Sequence, residues 1–217
     1  MEERRMPLAE HLGELRKRIF RCAIVLIVGF FVAYAFHQEL FRWFAQPVLA
    51  GLRRHGIFAL QALQVTETIT VYLQLSLVAG IVITAPYLIY QLWAFIAPGL
   101  YPRERRYVMP IAILTSIFFV IGIVFCYFVF LPMIVDFLVG FTLESNSISL
   151  VPTVERTYSL VLTFFIVFGL IFELPLIMFF LSLLGIVSHK KFIAWGRYFI
   201  VLAFIIGAIF TPPDPLS

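Results

Sequence analysis

The feature that most constrains this chain is the length of its uncharged runs. No Asp, Glu, Lys or Arg interrupts residues 68–102, and none interrupts 107–135. About 20 apolar residues in a helix cross the hydrocarbon core of a bilayer, so each run is long enough to span one. The runs are continuous rather than alternating, which favours helix over strand. The rest of the composition agrees. Hydrophobic residues make up 62% of the chain and charged residues only 13%, against about a quarter charged in ordinary globular proteins. A soluble core of this size could not hide so much apolar surface. The 25 phenylalanines suit lipid, because the side chain carries no polar atom that needs a partner.

The reading is therefore an all-α integral membrane protein, a polytopic helical bundle forming a single transmembrane domain over residues 1–217. Five spans are expected, at roughly 19–36, 68–92, 109–133, 158–187 and 195–210. The last is short, about 16 residues or roughly 24 Å of helix, and would thin the bilayer or sit low in the bundle. An odd helix count and a stop at TPPDPLS suggest a further helix beyond this sequence. The N-terminus is too charged before its first apolar run to read as a cleavable signal peptide.

Lys and Arg set the expected topology. Twelve of the 16 lie in the N-terminal segment, the loop after the second span and the stretch before the fifth; Arg42, Arg53, Arg54 and Arg156 lie on the other side. This asymmetry places the N-terminus in the cytoplasm. The net charge of +4 falls in short clusters between spans, which does not suggest nucleic acid. The outer loop 37–67 carries Leu40, Phe44, Val48 and Leu52 on one helical face with Trp43 nearby, the pattern of a helix lying in the membrane interface. Pro86, Pro132 and Pro175 sit in or at the ends of spans, where each can bend a helix and free a carbonyl; curved helices would make the bundle concave, although membrane helices also tolerate proline without consequence. Cys22 and Cys126 lie in apolar runs near opposite membrane faces, read as small buried residues rather than a disulfide.

Catalytic signatures are missing. There is no phosphate-binding GxxxxGK[ST], no HExxH and no GxSxG, and none of His11, His37, His55 and His189 falls within a span. No cofactor or metal is expected. Three carboxylates carry a signal instead. Glu173 lies midway along the fourth span, where an ionised, unpaired carboxylate costs several kcal/mol; it reads either as an inward-facing site for a partner helix or a proton, or as a structural hydrogen-bonding residue. Glu14 can pair with Arg18 at i,i+4, and Glu104 favours the dipole at the start of the third span; each has this ordinary explanation alone. Together they place two carboxylates at one membrane face, where they could receive two guanidinium groups. Bidentate Arg–carboxylate geometry would make Lys a poor substitute.

Four segments, HLGELRKR (11–18), QLWAFIAPGLYPRERR (91–106), FELP (172–175) and TPPD (211–214), resemble the TatC family in order, spacing and topology across the whole chain. The resemblance implies a six-helix, glove-shaped core of the twin-arginine translocation system in the bacterial inner membrane. It implies that Glu14 and Glu104 recognise the arginine pair of the signal peptide on folded cargo, with Phe95, Arg105 and Leu12 completing that site. Glu173 would face the docking surface for TatB-like and TatA-like single-span partners, and Pro47 and Asp214 would be functional residues of the outer loops. Self-association is compatible with this role, and the proton-motive force would drive transport, each charge moved being worth about 2.3 kcal/mol per 100 mV. Competing readings are a proton-coupled solute transporter, a membrane-embedded enzyme and a purely structural scaffold. The first usually shows internal repeats and the second a nucleophile–base set; neither is visible.

Overall fold

The computed structural model describes residues 8–99, 105–144 and 151–183, together with positions 195, 196, 198, 201, 204 and 205. Among these residues the chain is helical and forms no strand. The elements are α1 (Leu8–Ala35), α2 (His37–Arg54), α3 (Glu67–Ile96), α4 (Val108–Phe125), α5 (Leu131–Glu144) and α6 (Val154–Leu183), with short 3₁₀ turns at Ala97–Gly99 and Arg105–Tyr107. A π turn, Cys126–Phe130, joins α4 to α5 without a break. Four stretches are long and apolar enough to cross a membrane: His11–Ala35, Glu67–Gly99, Arg105–Leu143 and Val154–Leu183. The third runs well past the expected end near residue 133, because Asp136 does not stop it. The expected fifth span lies mostly outside the described residues; the six positions described within it are helical.

Contacts group the chain into two compact units, Met1–Leu174 and Pro175–Ser217. In the first, α1 packs along α3, α3 against α4, and α2 against α5 and α3. The α1–α3 crossing is a glycine contact. A Cβ on Gly29 would lie 2.5 Å from the Thr84 methyl, and one on Gly80 would lie 2.9 Å from the Phe30 nitrogen. Gly122 and Gly169 let α4 and α6 approach in the same way, against Phe168 and Phe119 respectively. Lipid gives helices no hydrophobic reason to associate, so close backbone packing at small residues takes over. Interior positions accordingly hold Ser76, Thr84 and Thr115, while Phe31, Phe128 and Ile24 are exposed. In the second unit, Trp195, Tyr198, Val201 and Ile205 are exposed at helical spacing, a stripe suited to lipid.

Helix α2 does more than lie on a surface. Val48 and Leu52 are buried, Leu40 and Phe44 pack on the same cluster, and Trp43 points outward. Gly56 at φ +81° ends the helix. Its N–H donates to the Arg53 carbonyl while that of Ile57 donates to Leu52, a Schellman arrangement that needs the left-handed backbone. Pro47 sits inside the helix and has no N–H, so the Trp43 carbonyl four residues earlier loses its helical donor. The Tyr127 hydroxyl donates to that carbonyl at 2.9 Å. Close by, the buried Tyr158 donates to the Phe41 carbonyl at 2.9 Å and stacks on the Phe41 ring. Arg54 pairs with Asp136 on α5. A proline in α2 is thus matched by a tyrosine between α4 and α5.

Replacing Tyr127→Phe should lower stability by about 1 kcal/mol, the usual net worth of such a bond. In a Pro47→Ala background the loss should shrink, because the alanine N–H supplies the carbonyl from within the helix. Thermal unfolding of the four proteins in detergent checks this; strictly additive effects would mean that the two residues do not share the carbonyl.

Candidate functional site

The polar groups of the first unit converge where the start of α1 meets the end of α3. The two helices run antiparallel in fixed register: the same number of residues separates Gly29 from Arg18 on α1 as separates Gly80 from Gln91 on α3. The glycine crossing therefore determines what faces what a few turns away. Glu14 and Arg18 are one turn apart on α1, and Tyr87, Gln91 and Phe95 recur every fourth residue on one face of α3.

The result is a connected chain of hydrogen bonds. Arg18 donates Nε and Nη2 to Oε1 of Glu14 at 2.9 and 2.5 Å. Its Nη1 donates to Oε1 of Gln91 at 2.8 Å, and Gln91 Nε2 donates to the Tyr87 hydroxyl at 2.8 Å. Gln91 is 5% exposed; its oxygen holds Arg18 while its nitrogen is held by Tyr87. The Glu14 and Arg18 side chains keep 25% and 19% exposure. Among the described residues no donor reaches Oε2 of Glu14, which leaves that oxygen open to a further cation. Beside it, the rings of His11 and Phe95 stack with centroids 4.4 Å apart. This gives an aromatic surface on which a planar guanidinium can rest. Leu12 is exposed on α1, and Arg105 is exposed in the short turn before α4. Glu104 and Asp214 lie outside the described residues.

Glu14 and Phe95 lie at the same end of the α1–α3 pair, Glu14 tied to α3 through Arg18 and Gln91 and Phe95 tied to α1 through His11. Reading the sequence missed Arg18 as a direct ligand of Gln91, and missed Gln91, Tyr87 and His11 altogether. An uncharged Gln inside a long apolar run gives no alarm. The available signal was the fourfold spacing of Tyr87, Gln91 and Phe95.

Two other expected positions lie elsewhere. Pro47 is buried in α2 with the role described above. Glu173 on α6 is 7% exposed, and neither carboxylate oxygen has a hydrogen-bond partner among the described residues. The Glu67 side chain at the start of α3, which the sequence did not single out, is also buried with Oε2 unpartnered. Among the described residues no group of His, Cys, Asp and Glu could hold a metal ion, and both cysteines are free.

Comparison with known proteins is consistent across three measures. The family model described as Sec-independent protein translocase protein (TatC) matches residues 10–217. The chain is 37% identical to the Sec-independent protein translocase protein TatC of Desulforapulum autotrophicum over 217 residues, all of this chain and 78% of that protein. It is 34% identical to TatC of Escherichia coli K12 over 211 residues, covering 97% of this chain and 80% of the relative. A crystal structure of the twin arginine translocase receptor TatC, solved in DDM, superposes with a TM-score of 0.84 at 32% identity, covering 94% of this chain and 89% of that one.

A buried carboxyl with two unpartnered oxygens is a cost that the isolated chain need not carry. Glu173→Leu, similar in size and well suited to a helix, should raise the stability of the purified protein by about 1–3 kcal/mol. Denaturation in detergent measures this; a loss of stability would mean that Glu173 is satisfied within the chain.

Proposed function

Because the chain belongs to the TatC family of Sec-independent protein translocase proteins, we propose that it is the receptor of a twin-arginine translocase, binding the signal peptide of folded cargo at the site built around Glu14. The observation that carries this reading is the state of the Glu14 carboxylate. One oxygen is held by Arg18, itself anchored on Gln91, and the other has no donor among the described residues, while one turn earlier on α1 His11 stacks on Phe95. The side chain is thereby pre-aimed. An incoming guanidinium meets a fixed acceptor and loses little entropy in organising it.

Glu104 would be the second carboxylate of the proposed pair, and Arg105 and Leu12 would complete the site. Each arginine of the peptide would take one carboxylate. A lysine ammonium cannot reproduce the planar, forked contact or the stacking on an aromatic face. The excess of Lys and Arg around this end of the chain supports a cytoplasmic side for it and the N-terminus, with the protein in the inner membrane. The chemistry is recognition and assembly, not bond making. Energy would come from the proton-motive force.

Glu173 would supply the contact with TatB-like and TatA-like single-span proteins. A buried, unpartnered carboxyl in a spanning helix can accept a hydrogen bond from a polar group on a second helix, which in lipid is worth roughly 1 kcal/mol. Pro47 and Asp214 would act on the opposite face, Pro47 by fixing the geometry of α2. Self-association fits the same picture.

The test is cross-linking of a twin-arginine signal peptide to the protein in membranes. Glu14→Ala, Glu104→Ala and a Lys–Lys peptide should each abolish most of the product, and Gln91→Leu should weaken it by about tenfold, equivalent to one charge-assisted hydrogen bond. Glu173→Ala should leave peptide cross-linking intact while reducing co-purification of the single-span partners. Unchanged cross-linking in the carboxylate variants would overturn the receptor site. Lost peptide binding with intact assembly in Glu173→Ala would reverse the division of roles.

A further inference from the structure

At the end of the first unit opposite Glu14 there is a cavity of about 370 Å³ between α2, α5 and α6, within the range of small-molecule sites. Val48 and Leu52 of α2, Val139 of α5 and Leu160 of α6 give it apolar walls, and Arg156 and Thr157 of α6 belong to the same lining. The chemistry is mixed. Arg156 stands in the first turn of α6 with Leu160 one turn further along it, so a single cation borders an otherwise largely apolar space.

The charge at the mouth is uncompensated. Arg54 on the same side is taken by Asp136, whose other oxygen faces His55 at 3.9 Å. Arg156 has no ion pair among the described residues and is exposed. On the same helix as Val48 and Leu52, Trp43 is 67% exposed, and Tyr127 is bonded to its carbonyl; Trp and Tyr favour headgroup depth.

We propose that this cavity is a binding site for one anionic phospholipid, its phosphate on Arg156 and part of an acyl chain on the Val48–Val139–Leu160 surface. Charge complementarity selects the occupant: a free anion would leave the apolar walls wet, and an uncharged apolar segment would leave Arg156 unpaired. A lipid satisfies both from the surrounding bilayer, and Arg–phosphate contact is bidentate. The lipid fills the space on which α2 closes over α5 and α6, so its loss loosens that end of the bundle.

The experiment is native mass spectrometry of the full chain, purified in detergent and exposed to phosphatidylglycerol or phosphatidylcholine. One phosphatidylglycerol should be retained in preference to phosphatidylcholine. Arg156→Gln should reduce that preference by about tenfold, Arg156→Lys should keep part of it, and Arg53→Gln, on the same face but outside the cavity, should leave it unchanged. Leu160→Trp, which fills the apolar depth, should abolish retention of either lipid. Equal retention in the unaltered protein, Arg156→Gln and Arg53→Gln would overturn the site. A photoreactive residue at position 160 in whole membranes separates the occupants: a lipid adduct supports the proposal, and a polypeptide adduct, from a signal peptide or a single-span partner, overturns it.

Discussion

Inside a bilayer no water is available to hydrogen-bond a peptide group, so each N–H and C=O must find its partner within the protein. That constraint explains why the chain is helical, and also where its irregularities fall. Three devices repair the breaks. Pro47 strips the Trp43 carbonyl of its donor, and a tyrosine hydroxyl replaces it. Before Pro132 the helix widens into a π turn, in which Leu131 donates to the Cys126 carbonyl. Hydroxyls within spans turn back on their own helices, as Ser76 does to the Tyr72 carbonyl and Thr84 to that of Gly80.

Against that background the carboxylates divide into two kinds. Glu14 is embedded in a network in which Arg18, Gln91 and Tyr87 each have defined partners. Glu173 is buried with none. The first arrangement is rigid and offers a prepared acceptor at the membrane surface. The second is energetically incomplete, and incompleteness in a low-dielectric setting is what a second helix can relieve. One chain thus holds one carboxylate fixed by neighbours and another that is left to find a partner.

Much of the fold was readable from charge alone. Uncharged runs located the spans, and the four-residue recurrence of Leu40, Phe44, Val48 and Leu52 located α2. The third span was read short because Asp136 looks like a boundary; Arg54, distant in sequence, neutralises it. The tight α1–α3 contact had no sequence pattern, since Gly29 and Gly80 belong to different helices and neither forms a GxxxG motif. The Glu14–Arg18 pair was visible as i,i+4 spacing. Gln91 was not, because its importance arises only when α3 lies beside α1. Local rules find local pairs; a network across two helices depends on register.

Register is also why distant glycines bear on the Glu14 network. The hydrogen bond from Arg18 to Gln91 spans two helices whose relative position is set several turns away, at Gly29 and Gly80. A side chain added at that crossing would have to push the helices apart or slide them, and a slide of one residue displaces facing side chains by about 1.5 Å along the axis, half the length of a hydrogen bond. Arg18 would then lose Gln91, and the Glu14 carboxylate would lose the anchor that aims it. Small residues in mid-membrane thus act at the surface through geometry alone, with no contact to the ligand.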